Sequence, residues 1–379
     1  MTGMTSDSRI DNKTASSRGM RWKPTELLEW AIEECGTATY SLSSSSVATV
    51  AKLTEIPGGP YELRITGDNQ YGHPKLKEVL AGMYGVTTDR LLIAQGAAEV
   101  DFLVAGAALQ SGGTAIVETP TYQPILRAAE CFADNIVRLP RRLENGCQPD
   151  LNELRGMMDD SVRLICLTNL HNPSGVCMDH DMLRQISQIA GEWKAVVLVD
   201  EVFYPMYDWD YRRHSASCGC ISVGSMDKTY GLSDLRAGWA VAPADIVKQA
   251  YSLNNLLGVH QPYVSEDLAA QILGDPKVMA WFRERTATAQ SGRRLYDEFI
   301  SAHSTAHCIS PSAGINGLLS LPAGSDDRKF IEALKRQKDT MAFPGSLFEL
   351  PGTIRVSFGG EHELIREGFK RLGELYREW

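Results

Sequence analysis

From about residue 90 onward, short apolar runs alternate with helix-length amphipathic stretches. The runs are LLIA at 91–94, TAIVE at 114–118, NIVRL at 135–139, VRLICLT at 162–168, AVVLVD at 195–200, CISVGS at 220–225 and RAGWAVA at 236–242. Between them lie helix candidates at 98–110, 122–132 and 181–192. Strand runs that are apolar throughout and separated by helices predict a mostly parallel sheet covered on both faces. The fold class expected is therefore α/β, with a large domain over 70–265. Beyond it the pattern changes. Helical segments fill about 265–301, short strands are expected at 306–310, 315–321 and 354–358, and a last amphipathic helix at 361–377. These features predict a smaller α+β domain built from 21–69 and 266–379. Its first helix opens at Pro24, where proline is tolerated in the first turn, and Leu27, Leu28, Trp30 and Ile32 supply an apolar side. Residues 1–20 are polar and read as a flexible tail.

Composition adds exclusions. At 379 residues the chain has length for about two domains. Hydrophobic residues at 43% and charged residues at 22% are those of a globular chain with a core of its own. Lys+Arg is 38 against 47 Asp+Glu, a net charge of −9, which argues against nucleic acid as a partner because phosphate-backbone affinity comes from cations. No apolar run is long enough for a membrane span. The N-terminus lacks the apolar centre of a secretory signal, so a cytoplasmic location is expected. Of eight cysteines only Cys218 and Cys220 lie close together, with no second pair to complete a zinc site. No metal is expected. Cys166, inside LICLTN, reads as a core residue, and none of the eight as catalytic.

Ligands of parallel α/β sheets bind beyond the carboxyl ends of the strands, so candidate chemistry is sought there. After LLIA come Gly96, Ala97 and Ala98 opening a helix, whose free N–H groups suit a phosphate. After VRLICLT comes His171-Asn172-Pro173-Ser174-Gly175. Asp200 closes the next run; a carboxylate there needs a partner, since an isolated buried charge is costly. Ser225-Met226-Asp227-Lys228 follows CISVG, with Arg236 downstream. A lysine at a strand end can act as a Schiff-base former, and arginine matches a phosphate dianion. Taken singly, each residue also reads as a turn, a helix cap or a solvated charge.

Taken together they resemble the pyridoxal-phosphate enzymes of aminotransferase class I/II, fold type I. That family carries N-P-[TS]-G, an Asp closing a strand, S-x-x-K, and an Arg eight residues on. Here Asp200 follows Asn172 by 28 residues and Arg236 follows Lys228 by eight. The resemblance implies pyridoxal 5'-phosphate as cofactor, bonded to Lys228, which also moves the substrate's α-proton. It implies that Asp200 pairs with the ring nitrogen and Asn172 with the ring oxygen O3′, Asn172 also bordering the substrate. Tyr122 in TPTYQP would stack on the ring. Gly96, Ala97, Ala98, Ser225 and Arg236 would hold the phosphate. Tyr71 in NQYGHP would reach a phosphate across a homodimer interface, and Arg355 in TIRVSFGG would clamp the carboxylate of a small amino-acid substrate.

Three positions depart from the family pattern. Phe203 stands where a tyrosine usually donates to O3′, unless Tyr204 substitutes. His171 stands where many members have asparagine. Asp227 precedes the lysine, where it would tend to keep the amine protonated unless strand alternation turns it away. Ser43–Ser46, His171–Gly175 and Phe203 resemble the capreomycidine-synthase-type branch, which implies loss of a β-hydroxyl from a hydroxylated arginine and ring closure by its guanidine, in antibiotic biosynthesis. The alternatives are an L-amino-acid:2-oxo-acid aminotransferase and a catalytically inactive scaffold or regulator. Lys228, Asp200 and Arg236 together speak against the last.

Overall fold

The structure, a computed structural model, describes residues 22–379; the expected tail at 1–20 lies outside the described residues. The apolar runs form one seven-stranded sheet. Its spatial order is Leu91–Ala94, Gly238–Val241, Ile221–Ser225, Val196–Asp200, Val162–Thr168, Thr114–Thr119 and Asn135–Pro140. Only Gly238–Val241 runs against the rest. The mostly parallel sheet expected from the pattern is what forms.

Alternation along each strand sends side chains into two cores. Leu164, Cys166, Leu198 and Val223 face the helices Ala97–Ala108, Gln123–Phe132 and Ala244–Asn254. Ile165, Leu167, Val197 and Val199 face the helix His180–Glu192 and Leu154. Both faces are covered, which is why these strands read as unbroken apolar runs. Truncating a fully buried member such as Leu198 to alanine would cost about 2–5 kcal/mol. The register sets the site: Thr168 pairs with Asp200, and Ser225 with Gly238, which also pairs with Ala94. Polar strand ends from three strands, Thr168, Asp200 and Ser225, thus meet at one edge beside Gly238 and Ala94.

A second, antiparallel sheet of four strands has the order Phe343–Pro344, Thr353–Ser357, Asn316–Ser320 and His307–Ile309. Helices Arg293–Ala302, Asp327–Lys338 and His362–Glu378 share its core. The strand Phe343–Pro344 was not anticipated; two residues carry no periodicity. The first helix, Glu26–Glu34, buries Leu27 against Phe343, Leu347 and Phe348. Ile32 was expected on its apolar side but is 83% exposed: a nine-residue helix resting on one short strand and the turn that follows it offers only a narrow buried stripe.

Candidate active site

Where the two sheets approach each other, a cavity of about 210 Å³ is lined by Lys228, Asp200, Asn172, Tyr122, Phe203 and Arg355, among others. A broader hollow of about 770 Å³ beside Lys23 and Glu130 holds no comparable set of groups.

Asp200 ends its strand beneath this cavity. The backbone N–H of Val202 donates to its Oδ1 at 2.9 Å. Burial nevertheless pushes its carboxyl up to about 6, against the opposing pull of that N–H and of Lys228. A cation against Asp200 would restore its charge. Asn172 and Arg355, both buried, meet at the opposite wall. The Arg355 guanidinium lies 4.4 Å from the Phe343 ring and 4.7 Å from that of Phe348. Burial brings its pKa down to about 10. No carboxylate pairs with it among the described residues, so this is a buried cation facing a cavity, an arrangement that calls for an anionic ligand.

A second anion-suited place lies at the start of the helix Ala97–Ala108. Gly96 has φ 81°, and a Cβ there would stand 2.4 Å from the Arg236 guanidinium. A Cβ on Gly238 would strike the Gly96 backbone at 2.4 Å, so the approach is closed to any larger residue on either side. Arg236 is left-handed at φ 49° and donates to the Gln95 carbonyl at 3.1 Å. It forms no ion pair with a described carboxylate. The first-turn N–H groups of Ala97 and Ala98 have no acceptor within the helix by construction. Ser225 is buried at the end of its strand; its Oγ accepts from the Asp227 N–H at 3.4 Å. A phosphate dianion fits this set, an aromatic ring with a protonated nitrogen fits Asp200, and an aldehyde fits the Lys228 amine.

The structure settles the departures. Tyr204 does not replace the missing tyrosine: its hydroxyl reaches toward His180 at 3.5 Å and its ring packs edge-on to His214, while Phe203 lines the cavity. His171 points away from the cavity, bonded to Ser174 Oγ at 2.6 Å and the Pro120 carbonyl at 3.0 Å, and burial keeps it neutral. Asp227 does not turn away from the lysine. Its Oδ2 lies 2.9 Å from Lys228 Nζ. The strand ends at Ser225, so strand alternation no longer governs 227 and 228. Tyr71 lies outside the cavity, 57% exposed and edge-on to Tyr251 at 5.4 Å.

Several neighbours had no motif to announce them. Glu118 holds Arg141 at 2.7 Å and accepts the Thr168 N–H at 2.8 Å. Thr168 Oγ1 in turn accepts the Asn172 N–H at 3.1 Å. This buried chain fixes the Asn172 loop. Asp101, one turn into the helix behind the site, has a buried Oδ1 with no partner among the described residues; burial and the Asp200 charge hold its carboxyl well above the usual carboxylate range. Only the sheet register brings these residues together. The eight cysteines are all free thiols, and burial raises Cys166. No metal-ligating cluster occurs among the described residues, and no described helix is long and apolar enough to cross a membrane.

Comparison with known proteins agrees with this geometry. The profile of Aminotransferase class I and II matches residues 61–372. Capreomycidine synthase of Streptomyces vinaceus is 27% identical over 271 residues, covering 68% of this chain and 67% of that protein. An aspartate aminotransferase of Pyrococcus horikoshii is 23% identical over 321 residues, 79% of this chain and 80% of the other. Among solved structures, a PLP-dependent aminotransferase from Streptococcus suis superposes with a TM-score of 0.84 at 23% identity, over 95% of this chain and 99% of that one. The PLP-dependent cyclase OrfR gives 0.81 at 24%, over 96% and 100%. At such identities the structures establish the fold, which is fold type I. The matched profile spans most of the chain, and the chain therefore belongs to aminotransferase class I and II, a PLP-dependent enzyme family.

Proposed function

We propose that the protein holds pyridoxal 5'-phosphate through Lys228, Asp200, Asn172, Tyr122, Gly96, Ala97, Ala98, Ser225 and Arg236, and removes a β-hydroxyl from a hydroxylated arginine with closure of a guanidine ring. When bound, the cofactor supplies an electron sink for the carbon that loses its proton. The work of the chain's own residues follows from their places. Arg355 takes the substrate carboxylate in two parallel hydrogen bonds. Asp200 keeps a proton on the ring nitrogen. Lys228 withdraws the α-proton and later returns one. The Cα–H and Cβ–O bonds break and water leaves. A guanidine nitrogen then bonds to Cβ, its proton is released, and Cα is reprotonated. The amino group is retained and no oxidant is needed.

The observation that carries the cyclase reading is Phe203 in the cavity wall with Tyr204 turned to His180, so neither supplies a tyrosine hydroxyl there. The likeness to capreomycidine synthase supports it. The second reading, an L-amino-acid:2-oxo-acid aminotransferase, is favoured by the aspartate aminotransferase relatives. Incubating the holoenzyme with arginine, its 3-hydroxy and 3,4-dihydroxy forms and ordinary amino acids separates them by product mass. Water loss with nitrogen retained supports cyclisation; a keto acid supports transamination. The exposed Tyr71 supports a homodimer in which it completes the partner's phosphate site. Sedimentation showing an active monomer at working concentration would overturn that part.

A further inference from the structure

Among the described residues Asp227 is the one carboxylate in salt-bridge contact with Lys228. Its Oδ2 stands 2.9 Å from Nζ, and both side chains are largely shielded, at 18% and 25% exposure. Ser46 holds the turn from the other side: its Oγ donates to the Asp227 carbonyl at 3.1 Å, with Oδ1 at 3.4 Å. The Val47 N–H donates to the Lys228 carbonyl at 3.0 Å. The serine-rich segment thus clips both residues in place. The other charged or titratable groups around the pair are Asp200 at the neighbouring strand end, Tyr122 at the start of its helix, Arg355 across the cavity and Asp101 behind it. Burial and the Asp200 charge hold the Asp101 carboxyl well above the usual carboxylate range, and among the described residues only Asp227 brings a carboxylate into salt-bridge contact with the amine.

A lysine that carries a cofactor must be released when the substrate takes its place, and must then stay within reach as the group that moves a proton. A long flexible side chain loses several rotatable bonds of freedom when it is held this way, so an unheld amine would spend most of its time elsewhere. We propose that Asp227 is a positioning residue: it holds the released Lys228 amine beside the substrate's α-carbon, and Ser46 fixes Asp227 for that task. This inference rests on the assignment of Lys228 as the cofactor lysine.

The test uses Asp227→Asn holoenzyme, close in shape and without charge. The cofactor's visible band is expected to titrate about one pH unit lower than in the natural protein. The return of the lysine to the cofactor, followed by stopped-flow absorbance, is expected to slow on the order of 10- to 100-fold. Asp227→Glu is expected to recover part of both. Ser46→Ala, which keeps the carboxylate but loosens it, is expected to slow the return with little change in the titration, and it keeps the idea testable if Asp227→Asn folds poorly. Unchanged titration and unchanged return rate, with borohydride trapping still mapped to Lys228, would overturn the role of Asp227 alone. Trapping mapped to another lysine would overturn the assignment beneath it.

Discussion

Arg355 Nη1 donates to Asn172 Oδ1 at 3.0 Å across 183 residues of sequence. The bond joins the central strand region of the small sheet to the loop that leaves the large one. It orients a guanidinium that has aromatic rings on its flank and no described carboxylate paired with it. The relation explains why a residue far from the cofactor motifs lines the same cavity as Lys228 and Asp200, and under the proposed function the substrate's carboxylate would be met from one sheet and its reacting carbon from the other.

Arg355→Met should therefore raise KM for the amino acid on the order of 10- to 100-fold, the loss expected for charge-assisted hydrogen bonds worth about 1.5–3 kcal/mol. Cofactor binding should be retained, as read by the visible band. Steady-state kinetics with an unchanged KM would remove Arg355 from the carboxylate site.

Asp200 carries a cost in the cofactor-free protein. Its folded pKa, about 6, lies above the ordinary carboxylate value near 3.8. The folded state thus binds the proton more tightly than the unfolded chain does. Asp200 lowers stability progressively as pH rises from about 4 to about 6, and the loss is complete above that. Asp200→Asn apoprotein should be more stable than the natural apoprotein at pH 8, by on the order of 3 kcal/mol, with the advantage gone at pH 4. Urea melts at the two pH values check this. The same variant should lose several orders of magnitude in turnover; a loss of about tenfold, or roughly 1.4 kcal/mol, would mark Asp200 as a cap only.

Lys228→Ala should leave the fold and the phosphate site in place and abolish the borohydride-trapped adduct. Peptide mapping after reduction decides it. An adduct persisting at one other site would contradict the assignment.

The legible part of this molecule is the part whose signal is local. Each strand is a run with its own periodicity; Asn172, Asp200 and Lys228 follow the ends of such runs and Arg236 opens the next one, in fixed order. Thr168, Glu118, Arg141 and Ser46 were not legible, because their roles come from register and from contacts such as Ser46 with Asp227, 181 residues apart. The sequence leaves the orientation of Asp227 open, because strand alternation does not govern a residue two positions beyond the strand's end. Ile32 was misplaced for a similar reason: an amphipathic stripe indicates a buried side only when a partner wide enough to cover it exists.

Phe203→Tyr should add a donor toward the ring oxygen O3′, stabilise its anion and shift the visible-band titration to lower pH. The variant should also form more keto acid relative to cyclised product. The cofactor titration and the product ratio are independent readouts. No change in the titration would show that position 203 does not address O3′.

The most direct measurement follows the α-nitrogen. Given 3-hydroxyarginine carrying ¹⁵N at the α-amino group, the holoenzyme should form a product lighter by one water with all of the label retained. Label appearing instead in pyridoxamine phosphate, with an unlabelled keto acid as product, would contradict the account.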